Sequence, residues 1–118
     1  MLLLRFGVKI KMLDINGYPD EESLEKIKTW DIFKQGIDGL LELVEENTNW
    51  SDRQIYRGKL GKYIYHTGGW SGNEDIIEAL RNTTFWFIFW QKSERGGHYE
   101  FKITHPEWYP MKEVQPIP

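Results

Sequence analysis

Between residues 24 and 44 apolar side chains recur at helical spacing. Leu24, Ile27 and Trp30 mark a short stripe; Phe33, Ile37, Leu40, Leu41 and Val44 mark a longer one, and together they predict two helices. Pro19 followed by Asp20, Glu21 and Glu22 suits the opening turn of the first, where a fixed φ and negative charge are both favoured. Gly36 and Gly39 weaken the second helix, by about 1 kcal/mol each against Ala in a helix interior, and small residues there let another element come close. Asn47, Thr48 and Asn49 end it. Ahead of these helices residues 5–13 alternate weakly, as a strand would. Met12 is also a candidate internal start, which would make residues 1–11 an extension.

After residue 54 the period changes. Ile55, Leu60, Tyr63, Ile64 and Tyr65 read as strand, with Gly58 and Gly61 marking a turn or bulge inside it. A Gly-rich turn over residues 67–74 leads into a helix near 74–82, whose stripe is Ile76, Ile77 and Leu80 and whose end is Asn82-Thr83. Six successive apolar residues, Phe85 to Trp90, read as a central strand buried on both faces. The turn around Gly96-Gly97 makes that strand the first arm of a hairpin over 85–103. In its second arm Tyr99, Phe101 and Ile103 alternate with His98, Glu100 and Lys102. From His105 the chain is Pro-rich and is expected to be irregular, pinned by Trp108 and Tyr109. The expected fold class is α+β, a single domain over residues 1–118. Two N-terminal helices precede a β-α-β-β unit that forms a small antiparallel or mixed sheet with helices on one side.

Composition adds limits. With 40% apolar and 28% charged residues the chain is a folded globular protein, and 118 residues leave room for one core. The absence of cysteine excludes a disulfide framework, a thiolate metal site and a cysteine nucleophile. No run approaches the roughly 20 apolar residues of a membrane helix, and Met1 to Leu4 is too short for a signal-peptide core. The expected place is the cytoplasm, that of the host cell if the gene is carried by a phage. Charge is uneven: residues 14–52 carry eleven acids against three lysines, a net of −8, and residues 53–118 a net of +2. Solvated acidic helix faces explain this simply; an acidic face that imitates a phosphate backbone or meets a basic partner is the sharper alternative.

Two loops carry the candidate chemistry. Ser71-x-x-Glu74 has capping-box spacing, and Gly68, Gly69 and Gly72 allow a ligand close to the amides at a helix start, which favour anions. Glu74 and Asp75 oppose an anion there, and the loop lacks the Gly-Lys-Ser/Thr of a P-loop. The second loop, residues 93–98, joins Ser93, Arg95 and His98 to flexible Gly96-Gly97. If the strands ending at Thr67 and Trp90 run the same way, both loops reach one edge of the sheet. The expected ligand-binding set is therefore Gly68, Gly69, Trp70, Ser71, Asn73, Ser93, Arg95 and His98. Trp70, flanked by Gly69 and Ser71, is the expected flat contact. Its plain counter-reading is a tight strand-to-helix turn, just as the second loop reads as an ordinary hairpin tip. The strand aromatics are read as core, not as base-stacking platforms.

Catalytic patterns are sparse. His66, His98 and His105 show no zinc spacing, and residues 69–72 do not make a Gly-x-Ser-x-Gly elbow. Ser71, His98 and Glu74 can be drawn as nucleophile, base and orienter, a trio that most small proteins can supply. Neither a cofactor nor a metal is expected, and turnover is less expected than binding. Arg53, Arg57, Lys59 and Lys62 form a short basic cluster, but the acidic chain makes nucleic acid an unfavoured partner.

The string Thr-Gly-Gly-Trp-Ser-Gly-Asn-Glu at 67–74, the aromatic segment with Trp86 and Trp90, and Arg95-Gly96-Gly97-His98-Tyr99 resemble a group of small uncharacterised phage and prophage proteins. The resemblance covers roughly residues 60–103. It implies an accessory gene on a mobile element, of the kind that blocks or manipulates host proteins, host defence included. It also implies that the two loops act as one unit, without naming a ligand. The expected function is binding to a host protein or to a small anionic ligand such as a nucleotide. The alternative is a small enzyme acting on a phosphate-bearing substrate, with His98 as general acid/base and Arg95 as anion clamp.

Overall fold

The computed structural model describes residues 17–105. The expected strand at 5–13, the extension at 1–11 and the tail with Trp108 and Tyr109 lie outside the described residues. The helices α1 (Glu21–Lys28), α2 (Ile32–Gln35), α3 (Asp38–Glu46) and α4 (Ser51–Gln54) come first. Strand β1 (Ile55–Arg57), a 3-10 turn (Lys59–Gly61) and β2 (Lys62–His66) follow. Then come α5 (Ser71–Arg81), α6 (Thr84–Phe89), β3 (Trp90–Glu94) and β4 (His98–Lys102). The chain is α+β, and its four strands pair in the order β1-β2-β4-β3 with every neighbour antiparallel.

Local chemistry explains most of these elements. Asp20 caps α1 by accepting from the Ser23 amide at 2.7 Å, while Glu21, Glu22 and the closing Lys26 and Lys28 complement the helix dipole. The second predicted helix is broken in two. Gly36, at φ 84°, ends α2, and Phe33 stays on the surface instead of joining the apolar stripe. The indole of Trp30 donates to the Gly36 carbonyl at 2.7 Å and covers Gly39, where a Cβ would sit 2.9 Å from the ring. Gly39 thus provides the close approach expected of it.

The aromatic run is the main correction. Residues 84–89 are a helix, and only Trp90 begins the strand. Thr83 caps this helix by accepting from the Trp86 amide at 3.1 Å. Phe85 and Phe89, four apart, are both fully buried with ring centroids 5.3 Å apart, whereas Phe87 is 88% exposed. That spacing fits a helix and violates a period of two. The hairpin is accordingly β3–β4, and β3 is an edge strand with every residue exposed, not a central one.

One face of the sheet packs on the helices through Tyr63, Tyr65 and Phe101, which meet Ile27, Leu40, Val44, Ile76, Leu80, Phe85 and Phe89 in a single core. Even the phenols inside it are paired: the Tyr65 hydroxyl bonds Thr48 Oγ1 at 2.8 Å and Tyr63 donates to Glu45 at 3.1 Å. Burial raises the pKa of both tyrosines well above the ordinary phenol value. The other face carries Lys62, Ile64 and His66 from β2, register-paired with Lys102, Glu100 and His98 from β4.

Candidate functional site

The antiparallel order places β2 and β3 in the same direction, so the turn after His66 and the tip after Glu94 leave the same end of the sheet. The expected convergence of the two loops is therefore present, although the strand feeding the tip ends at Glu94 and not at Trp90. The loops are joined directly. The Thr67 amide donates to the Gly97 carbonyl at 2.9 Å, extending the β2–β4 ladder by one rung. Gly97 has φ 83°, and a Cβ on it would overlap Thr67 Oγ1. Gly68 and Gly69 follow at φ 65° and 76°, exposed at the surface.

Around this clasp several expected contact residues prove to be structural. Trp70 is half-buried: its ring lies 5.1 Å from that of Tyr18, and its indole N–H points to the Gly17 carbonyl at 3.4 Å. It anchors the start of α5 to the segment before α1, so the flat-contact role assigned to it does not fit its position. Ser71 exchanges a hydrogen bond with the Tyr18 hydroxyl at 2.7 Å. The capping box is not formed. The helix starts one residue early, with Trp70 in the cap position, and Glu74 accepts from Thr67 Oγ1 at 2.7 Å instead of reaching back to Ser71. Asn73 is 1% exposed. Its amide donates to the Thr67 carbonyl at 3.0 Å and the Asn49 carbonyl at 3.3 Å, while its oxygen accepts from the Asn49 amide at 2.9 Å. It cannot also hold an anion. It ties three segments together.

That tie brings in a part of the chain that the sequence did not single out. The α3–α4 connection runs through Asn49 to Trp50, which has φ 59° and is 62% exposed. The Arg53 guanidinium lies 5.4 Å over the Trp50 ring, and Gln54 of the same short helix packs on Gly68. A bulky residue in the left-handed region is uncommon and tends to mark functional positions. The only warning in the sequence was Trp50 following the turn-prone Asn47-Thr48-Asn49. The exposed tryptophan at this end is Trp50; Trp70 is half-buried.

On the sheet's outer face the histidines form a chain. His66 Nε2 and His98 Nδ1 are 2.6 Å apart, and His98 Nε2 is 2.6 Å from Glu100 Oε2. With one proton on each ring, His66 donates to His98 and His98 donates to Glu100. The His98 hydrogen bond, aided by Lys92 and Lys62, holds the Glu100 carboxyl below its ordinary range. Lys92 bridges Glu94 at 3.5 Å and Glu100 at 3.9 Å. The trio Ser71–His98–Glu74 is not assembled: each member is engaged elsewhere, and the carboxylate that orients His98 is Glu100. Ser93 accepts from the Trp90 indole at 2.8 Å, and Arg95 is exposed with no ion pair among the described residues.

A shallow depression lined by Glu45, Ser51, Asp52, Ile55 and Arg57 borders α4 beside Trp50. A cavity of about 630 Å³ sits at the opposite end of the sheet, between the β1–β2 turn and the start of α3. No family model matches the chain, and neither a curated protein nor a solved structure matches it.

Proposed function

We propose that the protein works by binding, with the clasped loop end as its contact surface, as a phage or prophage accessory factor that engages a host protein. The observation that carries this reading is the Thr67–Gly97 hydrogen bond, which makes one surface of two glycine-rich loops beside an exposed, left-handed Trp50. Exposed tryptophan and arginine are the residue types that dominate binding energy in protein interfaces, and Trp50, Arg53 and Arg95 supply them. A surface led by an exposed tryptophan and two exposed arginines suits a protein partner better than a nucleotide. The resemblance of residues 60–103 to phage proteins supports the origin, and host defence is the natural partner class. A second reading is kept by one observation: the His66–His98–Glu100 chain has the base-and-orienter form of a general acid/base, which favours an enzyme acting on a phosphate-bearing substrate.

The test is affinity isolation from a host extract on immobilised protein, with mass spectrometry of what is retained. Trp50→Ala is expected to weaken capture about 30-fold, the ~2 kcal/mol of an interface hot spot. Arg95→Ala is expected to weaken it about tenfold or more, with thermal stability nearly unchanged in both. Capture that neither substitution affects would remove the loop end as the contact surface. Multiple turnovers of a nucleotide, lost on His98→Ala, would replace binding with catalysis.

A further inference from the structure

The other end of the sheet carries a second feature that the loop-end reading does not use. The β1–β2 turn projects Leu60 into solvent, 84% exposed and at φ 59°. Leucine is unfavourable there twice over. A left-handed backbone strains a residue with a Cβ, and a fully presented isobutyl group gains nothing from folding. The turn itself is fixed. The Gly58 amide donates to the Lys62 carbonyl, the Ile103 amide donates to the Gly61 carbonyl at 2.8 Å, and a Cβ on Gly61 would overlap the Ile103 carbonyl. Leu60 is thus held out by a rigid support.

Its surroundings state what it fits. Beneath it opens the cavity of about 630 Å³, with Ile37, Leu41, Tyr63 and Ile103 as an apolar lining and Lys62 and Lys102 on its rim. Lys59, Lys62 and Lys102 have no ion pair among the described residues, and of the carboxylates near them Glu100 is held by His98 and Lys92; Arg57 is committed to Glu45 at 2.9 Å, and Asp38 is the one carboxylate in the cavity lining.

We propose that this prong and cavity are a second docking surface, for an acidic amphipathic segment of a protein partner. Apolar side chains of the segment cover Leu60 and enter the cavity, and its carboxylates pair with Lys59, Lys62 and Lys102. Charge complementarity selects this occupant: the patch is cationic in a chain of net charge −3, and its apolar lining has no use in binding a nucleic-acid backbone.

The experiment places a photoreactive diazirine amino acid at position 60 of the full chain, irradiates it in a host extract, and maps the crosslinked peptides. The expected result is crosslinking to protein segments that combine Asp or Glu with apolar residues. It should fall at least tenfold in Lys59→Glu/Lys62→Glu and persist in Lys59→Arg/Lys62→Arg. Crosslinks confined to lipid or nucleic acid, an unchanged pattern on charge reversal, or no crosslink at all would overturn the proposal. Melting the Leu60→Asn variant checks the strain: its Tm should rise by a few degrees while capture of the crosslinked partner is lost. A fall in Tm would mean that Leu60 serves the fold.

Discussion

At each end of the sheet a bulky side chain sits in the left-handed region, Trp50 at one and Leu60 at the other, both at φ 59°. The two ends hold that strain differently. Trp50 follows Asn49, which is clamped on both its amide and its carbonyl by buried Asn73, and the same side chain holds the Thr67 carbonyl next to the Gly97 clasp. Leu60 depends on a tight turn alone, braced by backbone hydrogen bonds from Gly58 and Ile103. The loop end is therefore a network in which one side chain supports two loops and the Trp50 position, while the prong is a local device. Damage to the first should spread through the domain, and damage to the second should stay where it is made.

Asn73→Ala is the strongest way to break this contrast. It leaves the Asn49 amide and carbonyl, both part-buried, and the buried Thr67 carbonyl without their partner, so a loss of about 3 kcal/mol is expected. Denaturant melts measure it directly. Hydrogen exchange should quicken at residues 67–70 and at Asn49 together, with the Leu60 turn unaffected. Independent loosening of those two segments would show that they are not one network.

Adjacent glycines sharpen the same point. Gly97→Ala places a Cβ into Thr67 Oγ1 at φ 83°, whereas Gly96 has φ 93° but open space around it. Both substitutions carry the backbone penalty of about 1 kcal/mol; only Gly97→Ala adds a steric conflict and should cost about 2 kcal/mol or more. Equal losses in thermal melts would mean that the clasp yields without consequence.

How much of this was legible in the residues follows from where local and long-range terms agree. The helix at Ile76, Ile77 and Leu80 and the alternation of Tyr99, Phe101 and Ile103 read correctly, because each pattern and its burial say the same thing. Residues 85–89 misled because aromatic residues favour strands on their own, while the Thr83 cap and the packing of buried Phe85 on both Phe89 and Phe101 select a helix. The convergence of the two loops followed from the sequence only as a condition on strand direction, and the strand it assumed before the tip, residues 85–90, is mostly helix; β3 supplies the direction instead. Trp70 and Trp50 exchanged roles for a reason no local pattern contains: the first is covered by Tyr18, 52 positions earlier in the chain, and the second is turned outward by a positive φ. Arg95 stays at the surface where the sequence put it, while His98 is part-buried against His66 and Glu100, and Glu100 as its partner was legible only as the same-face neighbour two residues on.

Acid titration tests the outer face next. The pKa of Glu100 is lowered in the folded state, chiefly by the His98 hydrogen bond, so its ionised form stabilises the fold. That contribution is fully present above the ordinary carboxylate range and disappears as pH falls through the lowered folded value. Glu100→Gln should therefore flatten the acid limb of the stability curve and leave neutral-pH behaviour of the Leu60 turn unchanged. An acid limb identical in the variant would mean that the His98–Glu100 contact does not persist in solution.

The smallest effect separates the two strained residues themselves. Asparagine occupies the left-handed region more readily than any other residue with a Cβ except at a steric clash, so Leu60→Asn should stabilise the domain by up to about 1 kcal/mol. At position 50 the same relief competes with a loss. Trp50 keeps part of its ring off the solvent and lies under Arg53 at 5.4 Å, a cation–π contact of about 0.5–1 kcal/mol at an exposed site. Trp50→Asn should then change stability by less than about 0.5 kcal/mol in either direction, below the gain at position 60. Denaturant midpoints of the two single variants and of the double variant decide the matter. Distant, independent sites should add. A double variant that departs from the sum by more than about 0.5 kcal/mol would show that the two ends of the sheet communicate, and that the prong is less local than its hydrogen bonds indicate.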